Sequence, residues 1–411
     1  MLRSLRMAAT YPHVRVEGSP LERGRQYGEQ ARERVRASVD AYGEVFGHWA
    51  GWPWRRVTEE ARRYEVPIAE FSPSYIDELR GIAEGSGVPF KDVLAINVRT
   101  EVMFSAKARQ AAASRNGAEG RSRESEAAAR PRSRDFPRGE CSSFAVLPEA
   151  SASGGTLVGQ NWDWLPHSFD TVVVLEALRD DGPDFVTIVE AGLLAKTGLN
   201  SSGIGLATNA LVTDADRGEP GVPYHVVLRA ILDAETITDA LAAMQRRPRA
   251  SSAGYLIAHE DGLAVYVESA PGDFTNLHLV FPEQGVLLHT NHFISNEQPG
   301  RDVSIWAMPD SPFRLERLRS LTESAERPLS VETFTDVLCD HAGHPFGICS
   351  HRDLRVPEAD QGATVVSVVM ELDRRRVSIA DGPPCEAEYR VVDYDAFLSK
   401  LPVVRAAESL A

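Results

Sequence analysis

Gly139-Glu140-Cys141-Ser142-Ser143-Phe144-Ala145-Val146-Leu147 is the stretch on which the reading of this chain turns. A cysteine is followed by two hydroxyl residues and then by an apolar run of strand character. After the Gly154-Gly155 turn comes a second run, Thr156-Leu157-Val158-Gly159-Gln160-Asn161-Trp162-Asp163-Trp164. The thiolate, not the thiol, is the nucleophile, and an unaided cysteine has a pKa of ~8.5. No activating partner is visible in the local sequence. A cut before Cys141 would supply one: the new α-amine, with a pKa of ~8, takes the thiol proton within the same residue. The residues alone leave a second reading open, in which Cys141 is a small apolar side chain at the head of a buried strand.

Upstream, the texture differs. Lys107 to Arg138 is rich in Ala, Arg, Ser and Glu and almost without large apolar residues. Such a segment cannot bury enough surface to offset its ordering entropy, so 107–140 is expected to be a disordered linker that presents the Glu140–Cys141 bond. Its arginines (Arg121, Arg123, Arg130, Arg132, Arg134, Arg138) allow an arm that docks to RNA. The plainer reading is a solvated linker. Before it, Val14 to about Met103 reads as mostly helical. Ser19-Pro20-Leu21-Glu22 and Ser72-Pro73 have the pattern of a Ser cap followed by Pro at the first helical position.

Downstream of Cys141 the chain is rich in strands separated by turn residues: 143–147, 156–161, 171–175, 185–190 and 197–210. Tyr224 to Gln245 reads as one amphipathic helix. Hairpins follow at 254–268 and 363–380, a strand at 285–293, and helices at 312–322, 331–338 and 394–401. Helices first, then many antiparallel hairpins, gives an α+β fold with layered sheets. The division expected is a helical segment 1–106, the linker 107–140 and a catalytic unit 141–411.

The bulk properties narrow the function. In 411 residues, 43% are hydrophobic and 25% charged, ordinary for a globular protein. A net charge of −15 argues against nucleic acid as a partner of the whole chain. No run is long and apolar enough to span a membrane, and no apolar region follows the basic N-terminus as a signal peptide would require. Four cysteines form neither a disulfide framework nor a CxxC pattern, so a cytoplasmic location is expected.

Several stretches together carry a resemblance. They are Cys141-Ser142-Ser143, Gly159-Gln160-Asn161-Trp162-Asp163-Trp164, Gly198-Leu199-Asn200-Ser201-Ser202-Gly203-Ile204-Gly205, Asn209-Ala210-Leu211, Gly221-Val222-Pro223, His289-Thr290-Asn291-His292, Pro345-Phe346-Gly347-Ile348-Cys349 and Gly362-Ala363-Thr364. Gly24-Arg25-Gln26-Tyr27-Gly28 is a looser match. In this order the chain resembles the acyl-coenzyme A:6-aminopenicillanic acid acyltransferase family. That is the C45 peptidase family, within the N-terminal nucleophile (Ntn) hydrolase superfamily. It is more remotely similar to bile-salt and penicillin V hydrolases.

The resemblance implies an α+β Ntn-hydrolase fold, a four-layer αββα sandwich of two antiparallel sheets. It implies a zymogen that cuts itself between Glu140 and Cys141 to give an α/β heterodimer with Cys141 as nucleophile. Asp163 matches the aspartate that holds the new amine. Asn291 matches the side-chain donor to the oxyanion, and Asn209 the position whose backbone N–H is the second donor. One departure stands out. The family often places Arg directly after an Ile-Cys pair, whereas Ile348-Cys349 is followed by Ser350, His351 and Arg352. Arg352 is the candidate to substitute. Ser350 also motivates an alternative, a catalytically silent member acting as a binding or scaffold protein.

Trp162, Trp164 and Tyr224 are candidates for an apolar substrate pocket, with core packing as the competing reading. His289 and His292 lie close in sequence but lack a third ligand, so no metal is assigned to them. Cys339, Cys349 and Cys385 read as buried thiols. No cofactor is called for. The partner expected is a small-molecule amide, with an acyl donor allowed but no motif that identifies acyl-coenzyme A.

Overall fold

The structure is a computed structural model that describes residues 10–116, 141–297 and 300–399. Its strands, in chain order, begin with β1 (His13–Gly18), ahead of the helical segment. After Cys141 come β2 (Ser142–Val146), β3 (Leu157–Trp164), β4 (Val172–Arg179), β5 (Phe185–Glu190), β6 (Thr197–Asn200) and β7 (Ile204–Asn209). Then follow β8 (Ala253–His259), β9 (Leu263–Ser269), β10 (Leu277–Val280), β11 (Val286–His289), β12 (Ala363–Glu371), β13 (Arg376–Ala380) and β14 (Arg390–Asp393). They make an eight-stranded sheet, β1-β4-β5-β6-β7-β8-β9-β10, and a six-stranded sheet, β11-β2-β3-β12-β13-β14.

Side chains alternate across a strand, so each sheet has two faces to cover. Between the sheets, Ala145, Val158 and Trp162 meet Val174, Val186 and Leu256. The far face of the larger sheet (Val173, Leu175, Ile257) packs on helical residues such as Phe46, Ile82 and Leu228. The far face of the smaller sheet (Phe144, Val146, Val369) packs on Leu318, Phe334 and Leu338 of two later helices. Phe144 stacks on Phe334 with ring centroids 3.7 Å apart. The result is the expected four-layer αββα sandwich.

Three local expectations change. The segment from Val14 opens not with helix but with β1, which pairs in parallel with β4, so the larger sheet is not wholly antiparallel. Val14 and Val16 are buried while His13, Arg15 and Glu17 are not, a period of two already present in the sequence. The single helix expected over 224–245 is two, Tyr224–Leu232 and Ile237–Gln245. Asn200 Nδ2 donates to the carbonyls of Leu232 and Ala234, and the Thr236 hydroxyl accepts the Asp239 N–H, so both ends at the break are capped. The helix Arg99–Asn116 takes in the first part of the segment read as linker. Lys107 Nζ donates to the Trp49 carbonyl at 2.8 Å, Gln110 Nε2 to that of Ala50 at 2.8 Å, and Arg109 pairs with Glu60 at 2.6 Å. The remainder, 117–140, with the arginines of the possible RNA-docking arm and Glu140, lies outside the described residues.

The helices Pro20–Gln30 and Pro73–Ser86 cross on glycines spaced by four, Gly24 and Gly28 against Gly81 and Gly85. A Cβ at Gly28 would lie 2.3 Å from the Ile82 carbonyl oxygen, and one at Gly85 would lie 2.0 Å from that of Arg25. Backbone cannot yield there as a flexible side chain would. Gly28→Ala and Gly85→Ala are each expected to destabilise by about 1–3 kcal/mol or more. Gly47→Ala, on an exposed helical position with open space around it, should stabilise by about 0.5–1 kcal/mol. Chemical denaturation of the three variants checks this, and equal effects at Gly28 and Gly47 would refute the packing assignment.

Candidate active site

Cys141 stands immediately before β2, a strand paired on both sides by β11 and β3. Its side chain is buried in the apolar core between the sheets. Its carbonyl oxygen accepts two hydrogen bonds of 2.9 Å, from Asn209 Nδ2 at the end of β7 and from Arg314 Nη1. Asn209 Oδ1 in turn accepts from Ser143 Oγ at 2.6 Å and from the Tyr266 hydroxyl at 3.1 Å. Both sheets therefore converge on one peptide carbonyl.

Arg314 is the residue the sequence reading missed. It lies in the first turn of the helix Ser311–Ser324 and is buried. Its Nε pairs with Asp310 at 2.7 Å. Nη1 also donates to Ser142 Oγ at 3.0 Å, and Nη2 donates to Asn291 Oδ1 at 3.0 Å. Asn291 Nδ2 donates to the Ala210 carbonyl at 3.0 Å, and the Asn291 N–H is held by Ser311 Oγ at 2.7 Å. Cys141, Asn209 and Asn291 are thus brought together around one guanidinium. Arg352 is not among them: it is exposed, with its guanidinium 5.5 Å from the centre of the Phe169 ring. The signal for Arg314 was present in the sequence. It shares a helix face with Leu318 and Thr322, both buried, and an Arg on an apolar face needs partners.

Asp163 sits on β3. Ser142 is the register partner of Asn161, and Asp163 follows two residues beyond Asn161 on the same strand. Asp163 is fully buried. Thr364 Oγ1 donates to its Oδ1 at 2.6 Å, and its Oδ2 has no hydrogen-bond partner among the described residues. Burial pushes the Asp163 carboxyl up to about 7, against the downward pull of Arg314 and of the Thr364 hydroxyl, with Asp310 adding to the rise.

The pocket candidates separate. Trp162 is fully buried, with Lys196 Nζ 5.1 Å from the ring centre. Trp164 and Tyr224 line a cavity of about 100 Å³ together with Arg99, Met103, Lys196 and Ala210. Ala210 is the residue whose carbonyl holds Asn291, so the cavity abuts the site. His289 stacks on Tyr266 with centroids 3.5 Å apart and pairs with Glu268 at 3.0 Å, while His292 is held by Ser311 Oγ at 2.8 Å. Both are tied into the wall of the site.

Comparison with known proteins gives the family. Residues 151–384 match the family described as acyl-coenzyme A:6-aminopenicillanic acid acyl-transferase. The chain belongs to that family. A relative from Emericella nidulans, the 40 kDa form of acyl-coenzyme A:6-aminopenicillanic-acid-acyltransferase, is 23% identical over 374 residues, covering 90% of this chain and 93% of the relative. Among solved structures, penicillin V acylase from Agrobacterium tumefaciens is 14% identical over 63% of this chain and 88% of its own, with a TM-score of 0.42. A variant of conjugated bile acid hydrolase from Clostridium perfringens is 12% identical over 63% of this chain and 94% of its own, with a TM-score of 0.43. Family membership makes the chain an enzyme of the acyl-transferring class.

The Asp163 environment gives a pH test in a chain that cannot use Cys141. The native carboxyl titrates near 7 and the unfolded one near 3.8. Between these values the native state keeps a proton that the unfolded state has lost. Stability from the neutral carboxyl is full below the unfolded value and is lost as pH rises through the native one. Between pH 5 and 8, Cys141→Ala should lose about 2–3 kcal/mol more than Cys141→Ala/Asp163→Asn. Denaturant titrations at the two pH values measure the difference, and parallel behaviour of the two chains would contradict it.

Proposed function

We propose that the chain is a self-processing cysteine amidohydrolase or acyltransferase that acts on a small-molecule amide through an acyl-thioester on Cys141. The observation that carries this is Asp163: a buried carboxyl on β3, the strand that pairs with β2 behind Cys141, with one oxygen fixed by Thr364 and the other without a hydrogen-bond partner among the described residues. Burying such a group is costly unless it meets a charge or a donor. The ammonium formed at Cys141 by a cut before it would be that partner, and would hold the Asp163 carboxyl ionised.

In the maturation step, the Cys141 thiolate attacks the Glu140 carbonyl carbon. The Glu140–Cys141 C–N bond breaks, the amine takes a proton, and water then cleaves the thioester to leave a carboxylate on Glu140. In turnover, the α-amine, once its extra proton has passed to solvent, takes the thiol proton as sulfur attacks the substrate carbonyl. The tetrahedral oxyanion is met by Asn291, whose amide keeps one N–H beyond that given to Ala210, and by a backbone N–H at Asn209. Collapse passes the proton to the leaving amine. Water or a second amine then takes the acyl group.

The cavity abutting the site supports a compact apolar acyl group smaller than a phenyl ring. Its volume, about 100 Å³, is below that of an engineered cavity of about 150 Å³ that takes benzene. The silent-member reading rested on Ser350 standing where the family often has Arg. Arg314 supplies a guanidinium at the Cys141 carbonyl from another element, which supports the catalytic reading over that one. A cytoplasmic location fits the few cysteines. No described helix is long and apolar enough to cross a membrane.

Denaturing gels and intact mass on the wild type and Cys141→Ala test the proposal. Fragments 1–140 and 141–411 are expected from the wild type alone. A wild-type chain that stays whole for days and is inert to thiol-directed acyl probes would sink it. In the cut enzyme, Asn291→Ala is expected to lower kcat by about 100- to 1,000-fold, read by steady-state kinetics on the amide found to turn over.

A further inference from the structure

A second group of reactive side chains flanks Ser350, whose N–H donates to Thr364 Oγ1, the group that holds Asp163. It comprises His341 and His351, Cys349 between them in sequence, and Cys385 from the turn between β13 and β14. Their ligand atoms all lie within 4.8 Å of one another. His341 Nε2 and His351 Nε2 are 3.1 Å apart. Cys349 Sγ is 3.5 Å from His351 Nε2 and 3.5 Å from Cys385 Sγ, which is itself 3.4 Å from His351 Nε2. We propose that these four residues form a tetrahedral zinc site.

The spacing carries the inference. Around a tetrahedral Zn²⁺ with Zn–S near 2.3 Å and Zn–N near 2.05 Å, ligand atoms are separated by about 3.8 Å for S···S, 3.6 Å for S···N and 3.3 Å for N···N. The four measured edges fall within about 0.3 Å of these values, and the other two are bounded by the 4.8 Å limit. Pairwise hydrogen bonding does not account for the pattern. His351 Nε2 has either one N–H or one lone pair, yet three other ligand atoms converge on it. Two thiols and two imidazoles are the donor set of structural zinc, and a full set of four leaves no open position for catalysis.

The surroundings fit as well. His351 turns Nε2 to the cluster and Nδ1 to Glu386 Oε1 at 3.4 Å, the carboxylate–histidine–metal arrangement that fixes a ligand's tautomer. Cys349 is buried, His351 is half-buried, and His341 and Cys385 are exposed, so an ion can enter from solvent. The ligands join two otherwise separate pieces of chain: the loop after the helix Val331–Leu338, and the Pro383-Pro384-Cys385 turn. Sequence reading missed the site because its ligands are scattered and form no CxxC pair.

The test needs no substrate. The full chain, purified under reducing conditions without chelators, is assayed for zinc by plasma mass spectrometry. It is then stripped and titrated with Co²⁺. About one zinc per chain, a thiolate-to-cobalt charge-transfer band and tetrahedral d–d bands are expected. Cys385→Ser and His341→Ala should abolish the bands, while Cys339→Ser, outside the set, should keep them. Glu386→Gln should weaken metal affinity by about 10-fold. Wild-type protein with reduced thiols but no stoichiometric zinc and no cobalt spectrum would overturn the proposal. So would undiminished binding in Cys385→Ser, or isolation of the chain with a Cys349–Cys385 disulfide.

Discussion

The guanidinium of Arg314 is buried, and a buried charge is tolerable only when its donors are met. Its partners are Asp310, Ser142 Oγ, the Cys141 carbonyl and Asn291 Oδ1. Each belongs to a different part of the fold: the helix start, the first residue of β2, the residue before it, and the segment after β11. Removing any one leaves part of the charge uncompensated in the interior. The Cys141 carbonyl is held from the opposite side by Asn209, at the end of a strand in the other sheet. One outer helix and both sheets are thereby fixed to a single peptide group, and the remaining site residues take their places from it.

The core between the sheets is apolar over most of its extent, but not at this end. Gln160 Oε1 accepts the Thr208 N–H across the sheets at 2.7 Å, and Ser143 Oγ reaches Asn209 at 2.6 Å. On β3, four consecutive residues each keep one buried polar atom without a hydrogen-bond partner among the described residues: Gln160 Nε2, Asn161 Oδ1, Trp162 Nε1 and Asp163 Oδ2. An unmade buried hydrogen bond costs about 1–3 kcal/mol, so a run of them in the centre of a sheet does not serve stability. Polarity is concentrated there while both neighbouring strands are otherwise well packed. Three of these side chains are nonetheless anchored through their other polar atom, Gln160 by Thr208, Asn161 by the Leu338 and Ile348 carbonyls, and Asp163 by Thr364, so each unmet atom sits on a fixed side chain.

How much of this was legible follows from where each signal sits. The apolar, turn-bounded runs at 143–147 and 156–161 are local signals, and β2 and β3 follow them. Asp163, Asn209 and Asn291 have no local mark of function and were reached through resemblance. Arg314 was hidden because its partners are 23 to 173 residues away, apart from Asp310. β1 was overlooked because the Ser19-Pro20 helix start dominates its neighbourhood, although Val14 and Val16 alternate with polar residues. The break in the helix pair after Leu232 depends on Asn200, a cap supplied by a strand loop, and no periodicity within 224–245 encodes it. Lys107 to Gln110 looked unable to order itself, and alone it would be. It is anchored by carbonyls of another helix's end at Trp49 and Ala50.

The two sites are coupled through Ser350. This residue lies between Cys349 and His351, and its N–H donates to Thr364 Oγ1 at 3.0 Å, while its carbonyl accepts the Thr364 N–H at 3.0 Å. A threonine hydroxyl has a single proton. With its oxygen already accepting from Ser350, that proton is directed to Asp163 Oδ1 at 2.6 Å. The loop that carries Cys349 and His351 therefore orients the Thr364 hydroxyl that holds Asp163 Oδ1, and under the proposed cut Oδ2 is the oxygen that would meet the amine of Cys141. An arginine after Cys349 is not needed for this, because the contact runs through the Ser350 backbone. The guanidinium arrives instead from the helix Ser311–Ser324, so the Ile-Cys segment positions the carboxylate while Arg314 holds the carbonyl.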